Sequence, residues 1–182
     1  GNVFGAFDFY KGMKAEGIKP IIGIEAYVAP ESRFDRKRVK WADGGEDDVS
    51  GGGAYTHKTI LAENNLGLSN LFRLASLASL EGFYYKPRID VELLNKYSTG
   101  LIATTGCPAG EIQTRIRMGA YEEARTAAAK YLELFGAGNY FVELMDHGLD
   151  IERRVKKDLL RLASELGIPI LATNDLHYTL DR

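Results

Sequence analysis

The chain has 182 residues, enough for one ordinary domain with little room for a second. Its 45% hydrophobic and 26% charged residues exclude a disordered or collagen-like chain, and a net charge of −2 lacks the basic excess of a dedicated nucleic-acid binder. A single cysteine, Cys107, excludes a disulfide framework and suits a reducing, cytoplasmic compartment, and no run approaches the roughly 18 apolar residues of a membrane span.

Residue 1 is not a Met and no basic or apolar leader opens the chain, so the sequence reads as cut from something longer. Phe4, Phe7 and Tyr10 recur at helical spacing, and Gly17 suits the left-handed end of that helix. Residues 18–28 (IKPIIGIEAYV) form a short apolar run with β-branched residues, the pattern of a strand. Composition then changes sharply. Residues 31–53 pack in charges and glycines with little periodicity and read as an exposed, mobile excursion. Its first half is basic (Arg33, Arg36, Lys37, Arg38, Lys40) and its second half acidic (Asp43, Glu46, Asp47, Asp48). A solvated loop is the plainer interpretation; a DNA-backbone contact by the basic half is the functional one.

Residues 55–63 read as a second strand, and 68–80 as a helix with Leu71, Leu74, Ala75 and Ala78 on one face. Pro87 closes the next loop, and Asp90 is a candidate N-cap for a short helix through Tyr97. A strand at 101–105 runs into Gly106-Cys107-Pro108. Helices follow at 111–118 and 121–135, then a strand at 140–145, a helix at 151–166 and an apolar strand at 168–173. Strand and helix alternating at this spacing indicate an α/β fold with a mainly parallel sheet.

In such folds reactive residues gather on loops at the carboxyl ends of strands. Glu25 stands near one such end, Cys107 after the next, Asp146 and His147 after FVELM, and Asp175 and His177 after IPILAT. These residue types bind divalent transition metals. His57 is the exception, near the start of its strand, and faces the same site only if that strand is bent or antiparallel. On extended backbone, residues two apart share a side, so Asp175 and His177 can reach one ion while Leu176 turns away. Each has a plainer reading: Glu25 as a satisfied buried carboxylate, Cys107 as a small core residue, Asp146-His147-Gly148 as a turn. Convergence at several strand ends is what favours a metal site. No Gly-x-Gly-x-x-Gly follows a strand and no Walker-type Gly-Lys-Ser/Thr occurs, so dinucleotide or NTP binding is unsupported. A Cys107 nucleophile paired with a histidine is a weaker alternative, because it leaves the extra carboxylates without a task.

Several segments together carry a resemblance: residues 1–34, THKTILAEN, EGFYYKPRID, TTGCPAGE, ELMDHG and PILATNDLHY. The chain resembles the amino-terminal PHP (polymerase and histidinol phosphatase) domains of bacterial replicative DNA polymerase III α subunits. Only residues 37–53 look idiosyncratic. The resemblance implies a distorted, seven-stranded (β/α)7 TIM-like barrel, here incomplete, whose mouth holds up to three divalent metal ions on nine ligands. Five ligand positions match this chain: Glu25, His57, Cys107, Asp175 and His177. The other four resemble a His-x-His pair, an acidic residue and an Asp-His pair expected upstream of Gly1. His147 is not among the matched positions.

The resemblance further implies a metal-dependent phosphodiesterase with 3′–5′ exonuclease (proofreading) activity in DNA replication, using zinc or manganese, with magnesium as a third candidate. The alternative role is a structural scaffold that stabilises the polymerase and docks a separate proofreading exonuclease. A free-standing phosphatase for a small phosphate ester fits the wording of GFYYKPRID and ELMDHG less well. Lys86 and Arg88 are candidate phosphate contacts beside a surface-charge reading. Expected partners are primer-template DNA, the remaining polymerase domains and other replisome subunits, without a membrane. The polymerase catalytic site is not in this sequence. An incomplete barrel exposes strand edges, so the chain alone is expected to be inactive, to bring its five ligands only partly together, and to self-associate.

Overall fold

The structure is a computed structural model and describes residues 1–40 and 51–177. Among them lie six helices and six strands: α1 (Ala6–Ala15), β1 (Gly23–Val28), β2 (Thr56–Ala62), α2 (Asn65–Leu80), β3 (Arg88–Ile89), α3 (Val91–Tyr97), β4 (Leu101–Thr104), α4 (Glu111–Arg117), α5 (Tyr121–Phe135), β5 (Tyr140–Leu144), α6 (Asp150–Leu166) and β6 (Ile170–Ala172). The strands form one open sheet in the order β3-β1-β2-β4-β5-β6.

Local chemistry sets the boundaries. The Asn64 side chain accepts the Gly67 N–H at 3.0 Å and starts α2 three residues before the apolar pattern does. Asp90 caps α3 by accepting the Leu93 N–H at 3.0 Å. Gly17 (φ +70°) and Gly167 (φ +66°) adopt the left-handed conformation that ends α1 and α6. β1 starts at Gly23, not at residue 18, with Pro20, which has no N–H to give a ladder, upstream of it. β3 is two residues long and has too little sequence to show a period.

The expectation of a mainly parallel sheet holds for one part. β4, β5 and β6 run parallel through helical crossovers, and β3 runs parallel to β1. β2 is antiparallel to both its neighbours, β1 and β4. That reversal carries the start of β2, with His57, to the end of the sheet where β1 and β4 finish. Tyr27 of β1 pairs with His57, and Glu25 with Thr59.

Alternation along the strands divides the sheet's two faces. Ile24, Ala26 and Val28 of β1 and Ile60 of β2 are buried in one core with Leu71, Leu74, Leu94, Ile112, Tyr131 and Leu162 of the helices. Burying each of the larger side chains stabilises the fold by roughly 1.5–3 kcal/mol. Glu25, Tyr27 and His57 stand on the opposite, partly exposed face. The molecule also shows apolar surface. α1 buries none of its residues, Phe4 is 90% exposed, and β6 leaves Ile170 and Ala172 exposed at the sheet edge.

The excursion reading for 31–53 needs correction at its base. Arg33 is 7% exposed. Its guanidinium meets Asp90 at 3.0 Å, Glu81 at 2.7 Å and Glu92 at 3.2 Å, and its own N–H donates to Asp90. A side chain so engaged is a structural anchor, not a DNA-backbone contact. Arg36, Lys37, Arg38 and Lys40 are exposed. The acidic half, Asp43 to Asp48, lies outside the described residues. No helix among the described residues is long and apolar enough to cross a membrane.

Candidate metal centre

Three of the expected ligands meet at one end of the sheet. Glu25 leaves the exposed face of β1, His57 the start of β2, and Cys107 the loop after β4. His57 Nδ1 lies 2.9 Å from Glu25 Oε1; Cys107 Sγ lies 3.5 Å from His57 Nδ1 and 3.8 Å from Glu25 Oε1. The three ligand atoms all fall within 4.8 Å of one another. Around a tetrahedral ion with bonds of about 2.0 Å to nitrogen or oxygen and about 2.3 Å to sulfur, neighbouring donors stand roughly 3.3–3.6 Å apart. The 3.5 Å Cys107–His57 separation falls in this range, the 3.8 Å Cys107–Glu25 separation lies slightly above it, and the 2.9 Å Glu25–His57 contact lies below it, so holding an ion would need shifts of a few tenths of an ångström. Carboxylate, imidazole and thiol also form a donor set suited to a transition metal.

The loop bearing Cys107 is held from several sides. The His57 N–H donates to the Ala109 carbonyl at 2.9 Å, drawing the loop against β2. Gly106 (φ +83°) adopts a conformation that side chains avoid, and a Cβ there would stand 3.1 Å from the His57 carbonyl. Gln113, buried on α4, donates its amide to the Gly106 carbonyl at 2.7 Å and to Thr105 Oγ1 at 3.1 Å. Glu143 of β5, also buried, accepts from Thr104 Oγ1 and, at 2.5 Å, from Thr173 Oγ1, tying the ends of β4 and β6 together. Sequence reasoning missed both residues. A charged group inside the apolar run of β5, with threonines at neighbouring strand ends, was the available signal.

The electrostatics follow from this placement. The hydrogen bond from His57 holds the Glu25 carboxyl below its ordinary range, against the opposing effect of burial. Burial pushes the Cys107 thiol up to about 12, and the carboxylates of Glu25, Asp175 and Glu143 push the same way. Without a cation Cys107 is therefore a neutral thiol, which weakens the Cys–His nucleophile alternative.

Asp175 and His177 stand outside this triad. β6 ends at Ala172, and the segment beyond is irregular rather than extended. Asp175 takes φ +43°, and His177 Nδ1 donates to the Asp175 carbonyl at 2.7 Å. The imidazole and carboxylate still lie on one side, His177 Nδ1 3.9 Å from Asp175 Oδ1, though on irregular rather than extended backbone, and the Asp175 charge reaches Cys107 while that of His177 reaches Glu25. Lys86 is exposed, with its ammonium 5.7 Å from the centre of the Tyr27 ring. Arg88 does not suit a phosphate contact. It is 1% exposed, and its guanidinium donates to the carbonyls of Gly82, Ala54, Arg33 and Asp35 at 2.7–3.1 Å. His147 Nδ1 bonds Glu152 at 2.6 Å and Nε2 bonds the Asn174 carbonyl at 2.8 Å, a clasp between the β5–α6 turn and the Asp175 segment.

With an α/β sheet, candidate ligands at its strand ends and helices on its core face in place, comparison with known proteins gives the class. A family model described as PHP domain matches residues 1–147, and the chain belongs to that family. Among curated proteins it is similar to the DNA polymerase III subunit alpha of Saccharopolyspora erythraea, 57% identical over 98% of this chain and 16% of that protein. The subunit of the same name from Mycobacterium leprae is 58% identical over 98% of this chain and 15% of its own length. That from Thermus aquaticus is 48% identical over 98% and 14%. The chain thus spans well under a fifth of each of these relatives.

Proposed function

We propose that the chain is the PHP portion of a replicative DNA polymerase III α subunit and that, in the whole protein, it forms a metal-dependent phosphodiesterase removing mispaired nucleotides from primer 3′ ends. The convergence of Glu25, His57 and Cys107 at one end of the sheet is the observation that carries this reading. The open sheet, with three consecutive parallel strands joined by helices, is compatible with part of a seven-stranded TIM-like barrel. Glu25, His57 and Cys107 would hold the ion, zinc or manganese before magnesium given the thiol and imidazole. When bound, divalent ions there supply Lewis-acid activation of water and neutralise charge on a phosphate. His57 and Glu25 are oriented by their mutual bond, and Gln113 and Glu143 fix the strand ends that carry Cys107 and the Asp175 segment. Asp175 and His177 would join these three as further ligands of the centre, the remainder lying upstream of Gly1 as the resemblance implies.

The second reading, a structural scaffold for the polymerase and a separate exonuclease, is favoured by one observation: Asp175 and His177 do not join the triad. Hydrolysis of a primer with a mispaired 3′ end, in Mn²⁺ and with the complete α subunit, separates the two. Asp175→Asn is expected to lower cleavage at least ~100-fold. Cleavage unchanged in Asp175→Asn would remove that residue from the site. If native and variant proteins both bind DNA and neither cleaves, the scaffold reading stands.

A further inference from the structure

The bend at 82–88 holds an unusual backbone conformation, with the Tyr85 side chain engaged in polar contacts by only Arg38 and Tyr84 among the described residues. Tyr85 sits at φ +61°, a conformation that bulky residues avoid and that glycine or asparagine would adopt freely. It is nevertheless 59% exposed, so burial of its ring does not offset the strain. The bend is closed by the Tyr84 N–H donating to the Lys86 carbonyl at 3.1 Å, and Tyr84 meets Tyr85 edge-on at 4.5 Å between ring centres. The Arg38 guanidinium lies 4.9 Å from the centre of the Tyr85 ring, which brings the basic segment to the same bend. Lys86 reaches back over Tyr27, whose ring packs edge-on against that of His57 at 5.2 Å. Arg38, Tyr85, Lys86 and Tyr27 thus make a chain of contacts that ends at His57, with Gly1 packed against the same Tyr27 ring.

These contacts are anchored from beneath. Arg88 gathers the carbonyls of Ala54, Gly82, Arg33 and Asp35, so one buried guanidinium ties three loops together. A Cβ on Gly82 would collide with the Arg88 carbonyl, which shows how tightly the foot of the bend is closed. The strained tyrosine is therefore presented on a rigid support.

We propose that Tyr85, Arg38 and Lys86 form a ledge that binds single-stranded DNA leading to the Glu25–His57–Cys107 centre. The ring of Tyr85 stacks on an unpaired base, and Arg38 and Lys86 meet the flanking phosphates. Only a single strand offers free base faces to such a ring, whereas a duplex keeps them stacked internally. The choice of DNA and of the strand's destination rests on the phosphodiesterase reading, but binding at the ledge needs no metal.

Fluorescence anisotropy of a labelled 12-nucleotide oligothymidylate, with this chain in EDTA, tests the ledge. Tyr85→Asn removes the ring yet accepts the local φ, so it leaves thermal stability equal or higher while weakening binding about tenfold. Tyr85→Phe keeps the ring and binds within about twofold of the unaltered chain. Arg38→Gln and Lys86→Gln each flatten the slope of log affinity against log salt by about 0.7. Weaker binding by Tyr85→Asn supports the ledge even if the complete subunit cleaves nothing, in which case only the phosphodiesterase reading falls. Unchanged binding by Tyr85→Asn overturns the ledge even if the subunit cleaves, as does a duplex bound as tightly as the single strand.

Discussion

Lys86 and Arg88 stand two residues apart and face opposite ways, one outward over Tyr27 and one into the core with four carbonyl partners. Arg88→Met leaves those carbonyls without their donor. Chemical denaturation should show a loss of about 3 kcal/mol or more, against less than about 0.5 kcal/mol for Lys86→Met. His147 makes a pH prediction. Its bond to the Glu152 carboxylate, reinforced by the Asn174 carbonyl, raises its affinity for a proton, while Glu152, despite its burial, is held below its ordinary range by His147. A raised histidine stabilises the fold fully below its unfolded pKa of about 6.5 and loses that effect as pH rises through the folded value. A lowered carboxylate stabilises above about 4.3 and loses its effect as pH falls through its folded value. The stability difference between the native chain and His147→Ala should therefore be greatest near pH 4.5–6.5 and shrink on either side. A difference that is flat with pH contradicts the clasp.

At the scale of elements, the periodic and capped segments were readable in the sequence. Asp90 announced α3, the apolar face of α2 appears where its spacing puts it, and α6 spans nearly the residues read as a helix. The reversal of β2 was not readable, because a half-buried strand shows the same alternation in either direction; only the position of His57 hinted at it. Glu25, His57 and Cys107 were legible as candidates from their places near strand ends. Their supports were not, because Gln113 and Glu143 act through hydrogen bonds to loops distant in sequence and look like ordinary polar residues. The arrangement of Asp175 and His177 could not be read from an x-spaced pair, since it depends on the left-handed backbone at Asp175. Gln113 offers a test here. Gln113→Ala should weaken metal binding about 10–100-fold by releasing the Cys107 loop, while Gln113→Glu, whose carboxylate cannot donate to the Gly106 carbonyl, should not rescue it. Calorimetric titration with Zn²⁺ would show either result.

The whole molecule presents one well-buried core beside apolar surface that nothing among the described residues covers. β6 is an edge strand with exposed Ile170, and α1 displays Phe4 and Phe7. Exposed strand edges and apolar faces pair with copies of themselves. Light scattering of this chain should show its mass rising with concentration, and Ile170→Lys should reduce that rise; a strictly monomeric profile at high concentration contradicts it. The central claim, however, concerns the end of the sheet where β1, β2 and β4 bring three donors together. Titration of the chain with Co²⁺, followed by absorption spectroscopy, tests it most directly. The account predicts one tightly bound ion with a thiolate-to-cobalt charge-transfer band that disappears in Cys107→Ser and weakens in His57→Ala and Glu25→Gln. Binding with no such band, or with a band untouched by Cys107→Ser, would show that Glu25, His57 and Cys107 do not form a metal centre.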